Sequence, residues 1–491
     1  MLLIAILYTC ATTVLALHGC YIAALLVQYF RHRRRPGAAA PAEGAPLPVV
    51  TVQAPMYNER YVAERCIDSL AALDWPRARL QIQVLDDSTD DTTAIARARV
   101  EHHRRRGIDI TLIHRPSRAG YKAGALAHGL SLARGEFVAV FDADFVPAPD
   151  CLRRLLPHLA DESIGFVQAR WEHLNYPHSA LARWQSLMVD AHFVVDQLAR
   201  HRSGWPMIFN GSAGVWRRSC IETSGGWQAD TLCEDMDLSY RAALNGWRSA
   251  YAPEVVVPQE EPSSIGALKS QHARWAKGGA QCLRKHARSI AVSPGWSPAQ
   301  KLAGLAYLAG FTAHVLIVLV VLLWLPLALD GQVLRHIPLT FLGVSGLSLP
   351  LEYVMAQRAL HPHNGAWLRR LTHLPPLLVI GFGLSFNNAL AVVSGLWSRG
   401  GEFRRTPKVS VGQMPADGYV LGGETQAWFE IGLALYALVV AAAMWSGGNS
   451  TTAVLLLIYA SGLATVGIGS LSEALRAARA RSEWTIRRAA R

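Results

Sequence analysis

Apolar residues in this chain follow two different rhythms. Long runs at residues 1–30, 302–329, 336–351, 371–398 and 431–472 contain no Asp, Glu, Lys or Arg. Between the first two, apolar runs are short and alternate with amphipathic stretches. Residues 49–54, 80–85, 108–113 and 137–141 are brief and rich in β-branched or aromatic side chains, which predicts strands. Residues 60–73 and 92–105 have helical spacing. Strands alternating with helices predict an α/β unit with a mostly parallel sheet. Ligands of such sheets gather at the carboxyl ends of the strands.

A membrane-crossing helix needs about 20 apolar residues. Residues 1–30, 302–329 and the two halves of 431–472, divided at Ser446-Gly447-Gly448-Asn449, meet that length, and 336–355 is marginal. Residues 371–398 make a poor straight helix because Pro375, Pro376, Gly381, Gly383 and Asn387-Asn388 interrupt them. Basic residues gather where the apolar runs end: Arg31 and Arg33 to Arg35, Arg369 and Arg370, Arg399 to Lys408, and the arginines between 476 and 491. The positive-inside tendency places these stretches in the cytoplasm. The number of crossings between 302 and 398 is then even. Five spanning helices follow, with the N-terminus outside and 371–398 re-entrant or interfacial.

The expected organisation is a membrane helix at 1–30, a basic Pro/Gly/Ala linker at 31–48, and a catalytic unit at 49–262. Interfacial helices at 263–300, membrane helices and the interfacial segment at 301–398 and a loop at 399–426 come next. Two further spans at 427–472 and a basic cytoplasmic tail at 473–491 complete it. The first segment lacks a basic leader and is longer than a signal-peptide core, so it reads as an uncleaved anchor.

The 491 residues are 51% apolar and 17% charged, which excludes a disordered chain. The net charge of +12 would suit nucleic acid, but its clustering at membrane margins assigns it to orientation instead. Only six of the 48 basic residues are Lys, which together with the richness in Ala hints at a GC-rich bacterial source and an inner-membrane location. Seven scattered cysteines without a CxxC suggest neither disulfides nor a zinc site. The chain has no Walker loop, no HExxH and no GxGxxG after a strand, which disfavours ATP-driven pumping, zinc hydrolysis and dinucleotide redox chemistry.

Acidic residues sit where an α/β sheet puts its ligands. Asp86-Asp87 follow the strand at 80–85, and Asp142-Ala-Asp144 follow the strand at 137–141. Two carboxylates one residue apart suit a hard divalent cation shared with phosphate oxygens, although acidic pairs at turns are common. Lys122 lies between Gly120 and Gly124, where backbone and ammonium can both approach a phosphate. The stretch from Asp230 to Arg241 opens as a capped helix with acids in its first turn. One of those acids can serve as a general base, but spacing does not choose among Glu234, Asp235 and Asp237. Gln271-His-Ala-Arg-Trp275 reads equally as an interfacial anchor and as a sugar-stacking element. His192, His201 and His314 read as structural.

Taken in order, Pro55-Met-Tyr-Asn-Glu59, Asp86-Asp-Ser, Asp142-Ala-Asp144, Phe209-Asn-Gly-Ser212, Cys233-Glu-Asp235 and Gln271-xx-Arg-Trp275 resemble the motifs of membrane-embedded family 2 glycosyltransferases. That group includes cellulose, hyaluronan and mannan synthases. The resemblance extends to Phe403-Arg-Arg-Thr-Pro-Lys408. It implies a GT-A catalytic domain inserted between membrane helices. It also implies inverting transfer from a nucleotide-activated sugar, of the UDP-glucose or GDP-mannose class, to a β-linked polysaccharide, with Mg²⁺ or Mn²⁺ as cofactor.

Carried over by position, Tyr57 and Asp87 would contact the base, Lys122 and Asp142 the diphosphate, and Asp144 the metal. Asp235 would be the catalytic base. Gln271, Arg274 and Trp275 would bind the acceptor end and the diphosphate, with Asn210, Gly211, Ser212 and Glu234 on the acceptor side. Phe403, Thr406 and Lys408 would belong to a gating loop. Two departures stand out: Cys233 replaces the usual Thr, and Arg405 replaces the Val usual in cellulose synthases. The expected partners are a nucleotide-sugar donor, a glycan or lipid acceptor and membrane lipids, with no nucleic acid and with export partners unidentified. A non-processive enzyme acting on lipid is the runner-up, and a non-catalytic transport or binding subunit is the alternative of another class.

Overall fold

The computed structural model describes residues 1–34, 47–330, 346–402 and 424–489. Its polar half is built on one seven-stranded sheet. The strands are β1 (Val50–Met56), β2 (Leu80–Asp86), β3 (Ile110–His114), β4 (Phe137–Val140), β5 (Ile164–His173), β6 (Gly214–Arg217) and β7 (Arg248–Gln259), in the order β3-β2-β1-β4-β6-β5-β7. β1 is parallel to β2 and β4, β2 to β3, and β5 to β7; only β6 runs antiparallel to its neighbours. The sheet is thus mostly parallel, as expected.

Both faces are covered, and the period-two alternation of strands divides the core between them. Val50, Val52, Ala54, Phe137 and Ala139 face one layer with Ile67 and Leu70 of helix Ala63–Ala71. Val138, Val140, Phe166 and Trp216 face the other with Leu126 of helix Tyr121–Ser131. The same register pairs Thr51 with Gln81 and Gln53 with Gln83. Their side chains bond across the strands at 2.8 and 3.0 Å. In the parallel run β1, β2 and β4, the carboxyl ends line up, and the loops after Met56, Asp86 and Val140 converge at one edge.

Among the described residues, four helices are long and apolar enough to cross a membrane: Leu2–His32, Pro298–Leu329, Thr425–Ser446 and Ser450–Arg476. The pair Ala366–Gly383 and Ser385–Trp397 bends by 46° and makes a fifth if taken as one span. The interrupted segment at 371–398 therefore folds as a broken helix, as its Pro and Gly content predicts. Of the marginal segment at 336–355, residues 336–345 lie outside the described residues, and the helix Ser348–Leu360 has 13 residues. The close crossing of the broken helix with Ser450–Ala489 depends on glycine: a Cβ on Gly383 would overlap the Gly462 carbonyl, and one on Gly462 the Val379 carbonyl.

The 28-residue helix Ile265–Val292 joins the two halves. Ser264 caps it by accepting from Ala267 N–H at 3.2 Å. Glu473, from the end of the last span, accepts from its first two amides, Ile265 N–H at 2.7 Å and Gly266 N–H at 2.9 Å. A carboxylate there complements the positive end of the helix dipole.

Candidate active site

The converging loops and helix Ile265–Val292 enclose a cavity of about 150 Å³. Tyr57, Asp87, Lys122, Asp142, Asp144, Asn210, Gly211, Glu234, Asp235, Gln271, Arg274 and Trp275 all line it. Ser212 does not: it is fully buried, and its hydroxyl accepts the backbone N–H of Asp142 at 2.9 Å. Phe403, Thr406 and Lys408 lie outside the described residues.

The strand ends explain this convergence. Asn58, directly after Tyr57, has φ of +55° and bridges the first two loops, taking Thr89 N–H on its side chain at 2.8 Å and giving its own N–H to Ser88 Oγ at 2.8 Å. Asp86 is fully buried and accepts from Ser88 N–H at 3.0 Å and Thr93 Oγ1 at 2.6 Å. It shapes the loop, whereas Asp87 faces the cavity. Arg115 grips the Asp87 carboxylate at both oxygens, at 2.7 and 2.5 Å. Arg118 lies 3.4 Å from the centroid of the Tyr57 ring and also lines the cavity. Sequence reasoning passed over Arg118, although it lies in the turn just before the helix that carries Lys122.

Lys122 is the electrostatic centre. Its Nζ lies 2.6 Å from Asp142 Oδ1 and 3.7 Å from Glu234 Oε1, and it donates to Gly211 O at 2.9 Å. Burial opposes its charge, but Asp142 and Glu234 outweigh that and hold its pKa above the usual value. Burial pushes the Asp142 carboxyl up; Lys122 pulls the other way and Asp144 adds to the rise.

The three acids that spacing could not separate have different surroundings. Asp237 is fully buried and lies outside the cavity, bonded to His286, Lys285 and Arg241 at 2.8–2.9 Å. Burial alone would raise its pKa, but these partners lower it to about 2. Glu234 and Asp235 both face the cavity, and burial followed by the Glu234 charge raises Asp235 to about 7. Such a carboxylate is poised to accept a proton near neutrality.

Helix Glu234–Leu244 holds Asp235 in place. Ser239 Oγ donates to Asp235 O at 2.7 Å and accepts Phe209 N–H at 2.8 Å, tying that helix to the Phe209–Ser212 loop. Gln168, buried on β5, organises the same loop: its Oε1 accepts Asn210 N–H at 2.9 Å, and its Nε2 donates to Ser212 O and Ala213 O at 3.0 Å. Nothing in the local sequence distinguishes Gln168. Cys233 packs so closely on Gly278 that a Cβ there would overlap its sulfur.

A second cavity of about 450 Å³ adjoins the first and shares Trp171, Asn210, Cys233, Asp235 and Trp275 with it. Its walls are mainly aromatic and aliphatic, including Trp184, Tyr307 and Phe311, and run among the apolar helices. Gln271 stands at this junction side of the helix, accepting from Gln185 Nε2 at 2.8 Å. Asp235 therefore sits between a charged cavity and an apolar one.

Comparison with known proteins agrees with this arrangement. Residues 47–278 match the family model described as "Glycosyltransferase like family 2". The chain is 44% identical over 243 residues to glucomannan 4-beta-mannosyltransferase 1 of Oryza sativa subsp. japonica, covering 48% of this chain and 47% of the relative. It is 40% identical over 280 residues to glucomannan 4-beta-mannosyltransferase 7 of Arabidopsis thaliana, covering 55% and 50% respectively. The chain thus spans about half the length of the curated relatives it matches. A solved mannosyltransferase from Pyrobaculum calidifontis, in complex with GDP-Man and Mn2+, shares the fold, with a TM-score of 0.52, 24% identity and coverage of 79% of this chain and 99% of that one.

Proposed function

We propose that residues 47–278 form a family 2 glycosyltransferase domain of the cellulose synthase-like type and that the protein transfers a hexose from a nucleoside diphosphate sugar to a growing β-linked polysaccharide at a membrane. Mannose is the sugar that the relatives' names favour, with GDP-mannose and UDP-glucose as the competing donors. The observation that carries the reading is the position of Asp235, with Lys122 on its charged side and an apolar, aromatic-walled cavity on the other.

Asp235 takes the proton of the acceptor hydroxyl as that oxygen attacks the anomeric carbon from the face opposite the diphosphate. One displacement inverts the centre, so an α-linked donor yields a β-glycoside. Lys122 and Arg274 stabilise the charge that grows on the leaving nucleoside diphosphate. Tyr57, Asp87 and Arg118 line the end of the cavity suited to the base. Trp275, Gln271, Asn210 and Gly211 line the acceptor end.

The donor set fits a divalent cation. Asp142 and Asp144 are hard oxygen ligands, and among the described residues no group of three His, Cys, Asp or Glu forms a protein-only cage. A cation that completes its shell with diphosphate oxygens and water suits such a pair. Mg²⁺ or Mn²⁺ held chiefly by Asp144 would supply charge neutralisation to the leaving group.

The arginines that follow the apolar helices support a multi-pass protein with residues 49–262 as a cytoplasmic catalytic unit, and the scarcity of Lys beside abundant Ala favours a bacterial inner membrane. The aliphatic walls of the second cavity, such as Leu268, Ile317 and Leu377, also favour a second reading, transfer to a lipid acceptor. Incubating the purified full chain with labelled GDP-mannose, UDP-glucose or UDP-N-acetylglucosamine and Mn²⁺, then sizing the product, separates these readings. Polymeric label is expected from GDP-mannose. Organic-extractable label overturns the polymer reading, and absence of turnover from every donor, unchanged by Asp235→Asn, overturns the transferase reading in favour of a non-catalytic subunit.

A further inference from the structure

The Asn210 side chain stands where the two cavities meet, and it is fixed from both ends of one π-helical turn, His192–Gln197. Such wide turns are rare and cluster at functional sites. Gln197 Nε2 bonds to Asn210 Oδ1 at 2.5 Å and to Ile208 O at 2.9 Å. At the other end, Asn210 Nδ2 lies 2.8 Å from His192 Nε2. With the carboxamide oxygen committed to Gln197, Nδ2 is the donor, so His192 Nε2 accepts and its ring proton resides on Nδ1. That Nδ1–H faces Asp196 Oδ2 at 3.2 Å.

Asp196 is anchored in turn. Its other oxygen accepts from Arg200 Nε, and Arg200 is 1% exposed, donates to Pro206 O at 3.0 Å and to the Tyr21 hydroxyl, and stacks 4.1 Å over the Tyr307 ring. A continuous chain therefore runs from Tyr21 of the first apolar helix through Arg200, Asp196 and His192 to Asn210. Packing alone does not require a ring nitrogen at position 192. The bond from Asn210 Nδ2 to the ring fixes the orientation of the Asn210 amide. Once oriented, that amide retains one Oδ1 lone pair and one Nδ2–H for a ligand, a donor and acceptor pair that matches a sugar hydroxyl.

We propose that His192 is a positioning residue for the acceptor: it holds the Asn210 carboxamide so that its remaining donor and acceptor meet the hydroxyls of the sugar that Asp235 deprotonates. This rests on the transferase reading above. The donor end of the cavity is outside its reach, so the inference separates acceptor from donor binding.

The test uses the full-length protein in lipid nanodiscs, the donor that the wild type turns over, and a short β-linked manno-oligosaccharide as variable acceptor. His192→Phe keeps the ring volume and removes the acceptor nitrogen. It is expected to raise the acceptor KM about tenfold, in line with the loss of one buried hydrogen-bond partner. The donor KM and the slow hydrolysis of donor without acceptor stay at wild-type values. His192→Gln, whose side-chain oxygen again offers an acceptor, recovers most of the loss. Asp196→Asn, which releases the His192 ring, reproduces the acceptor defect and serves if His192→Phe lowers the thermal midpoint. An unchanged acceptor KM in His192→Phe, a parallel rise in donor KM, or His192→Gln no better than His192→Phe overturns the inference while leaving the transferase reading intact. A wild type that transfers from no donor overturns both.

Discussion

Gly211 faces the Asp235 carboxylate so closely that a methyl group on its Cα would stand 2.7 Å from Oδ2 and 3.4 Å from Lys122 Nζ. Its φ of +83° is also a conformation that residues with a Cβ avoid. The glycine thus lets the backbone carbonyl reach Lys122 while leaving the proposed base, Asp235, its space. Gly211→Ala should push Asp235 out of line at a backbone cost of about 1–2 kcal/mol, small beside the loss of alignment. Displacements of this size at a reacting group cost on the order of 100-fold in rate. The measurement is kcat together with the thermal midpoint. Wild-type kcat in a folded Gly211→Ala protein would remove Asp235 from the reaction.

The raised pKa of Asp235 predicts an acid limb in the pH profile of kcat/KM. The base works only when ionised, and burial with the neighbouring Glu234 charge brings its pKa to about 7. Activity should therefore fall about tenfold for each pH unit below that midpoint. Glu234→Gln removes the like charge, so the limb should move to lower pH. Asp235→Asn should abolish transfer at every pH. An acid limb near pH 4 in the wild type would contradict the assignment.

His173 predicts a pH dependence of stability with the opposite sign. It lies buried between Asp190 Oδ1 at 3.0 Å and Glu261 Oε1 at 2.9 Å. Burial disfavours its charge, but Asp190 and Glu261 outweigh burial and raise its pKa to about 9. The folded value exceeds the ordinary imidazole value of 6.5, so the stabilisation is complete below pH 6.5 and disappears as pH rises through 9. Asp190 also accepts from Gln357 Nε2 at 2.7 Å, so the charged His173 fastens the end of β5 to helix Ser348–Leu360. The thermal midpoint should drop by several degrees between pH 6.5 and 9.5 in detergent. His173→Gln should lower the midpoint at pH 6.5 and flatten that slope. An unchanged slope in the variant would assign it to other groups.

Particular residues show where sequence reasoning reaches its limit. Strands β1 to β4 were legible because each is a β-branched or aromatic run, and acids follow the runs at 80–85 and 137–141. β6 has four residues, and β7 carries Pro253 and Pro258, so neither shows a usable period. Asp86 and Asp87 look equivalent in sequence, yet successive strand positions point to opposite faces, and one builds the loop while the other meets the cavity. Asp235 and Asp237 are likewise separated by helix rotation and by His286, 49 residues away. The motif residues stood out because charges, glycines and aromatics are unusual at such spacings. Gln168, Arg118 and His192 did not, because their significance comes entirely from tertiary partners.

Lys269 and Glu430, 161 residues apart, form the contact that fixes the Gln271–Trp275 helix to the apolar helices. The ammonium lies 2.7 Å from one carboxylate oxygen and 2.9 Å from the other, and Glu430 is fully buried. Gln426 bonds to both Glu430 and Asn387, and Asn387 Nδ2 donates to Lys269 O at 3.0 Å, so three helices meet there. A buried pair of this kind adds little net stability over an apolar match, but removing one member strands a charge. Lys269→Met or Glu430→Leu alone should each destabilise the protein by about 3–5 kcal/mol. The double variant should regain most of that, because no charge is left without its partner. Activity separates this pair from a purely structural tie: the double variant should fold yet transfer more slowly, since the stretch from Gln271 to Trp275 then loses the polar restraint just before it. Thermal unfolding of the three variants, followed by single-turnover transfer for the double one, measures both effects. A double variant no more stable than either single one would show that the two charges act independently.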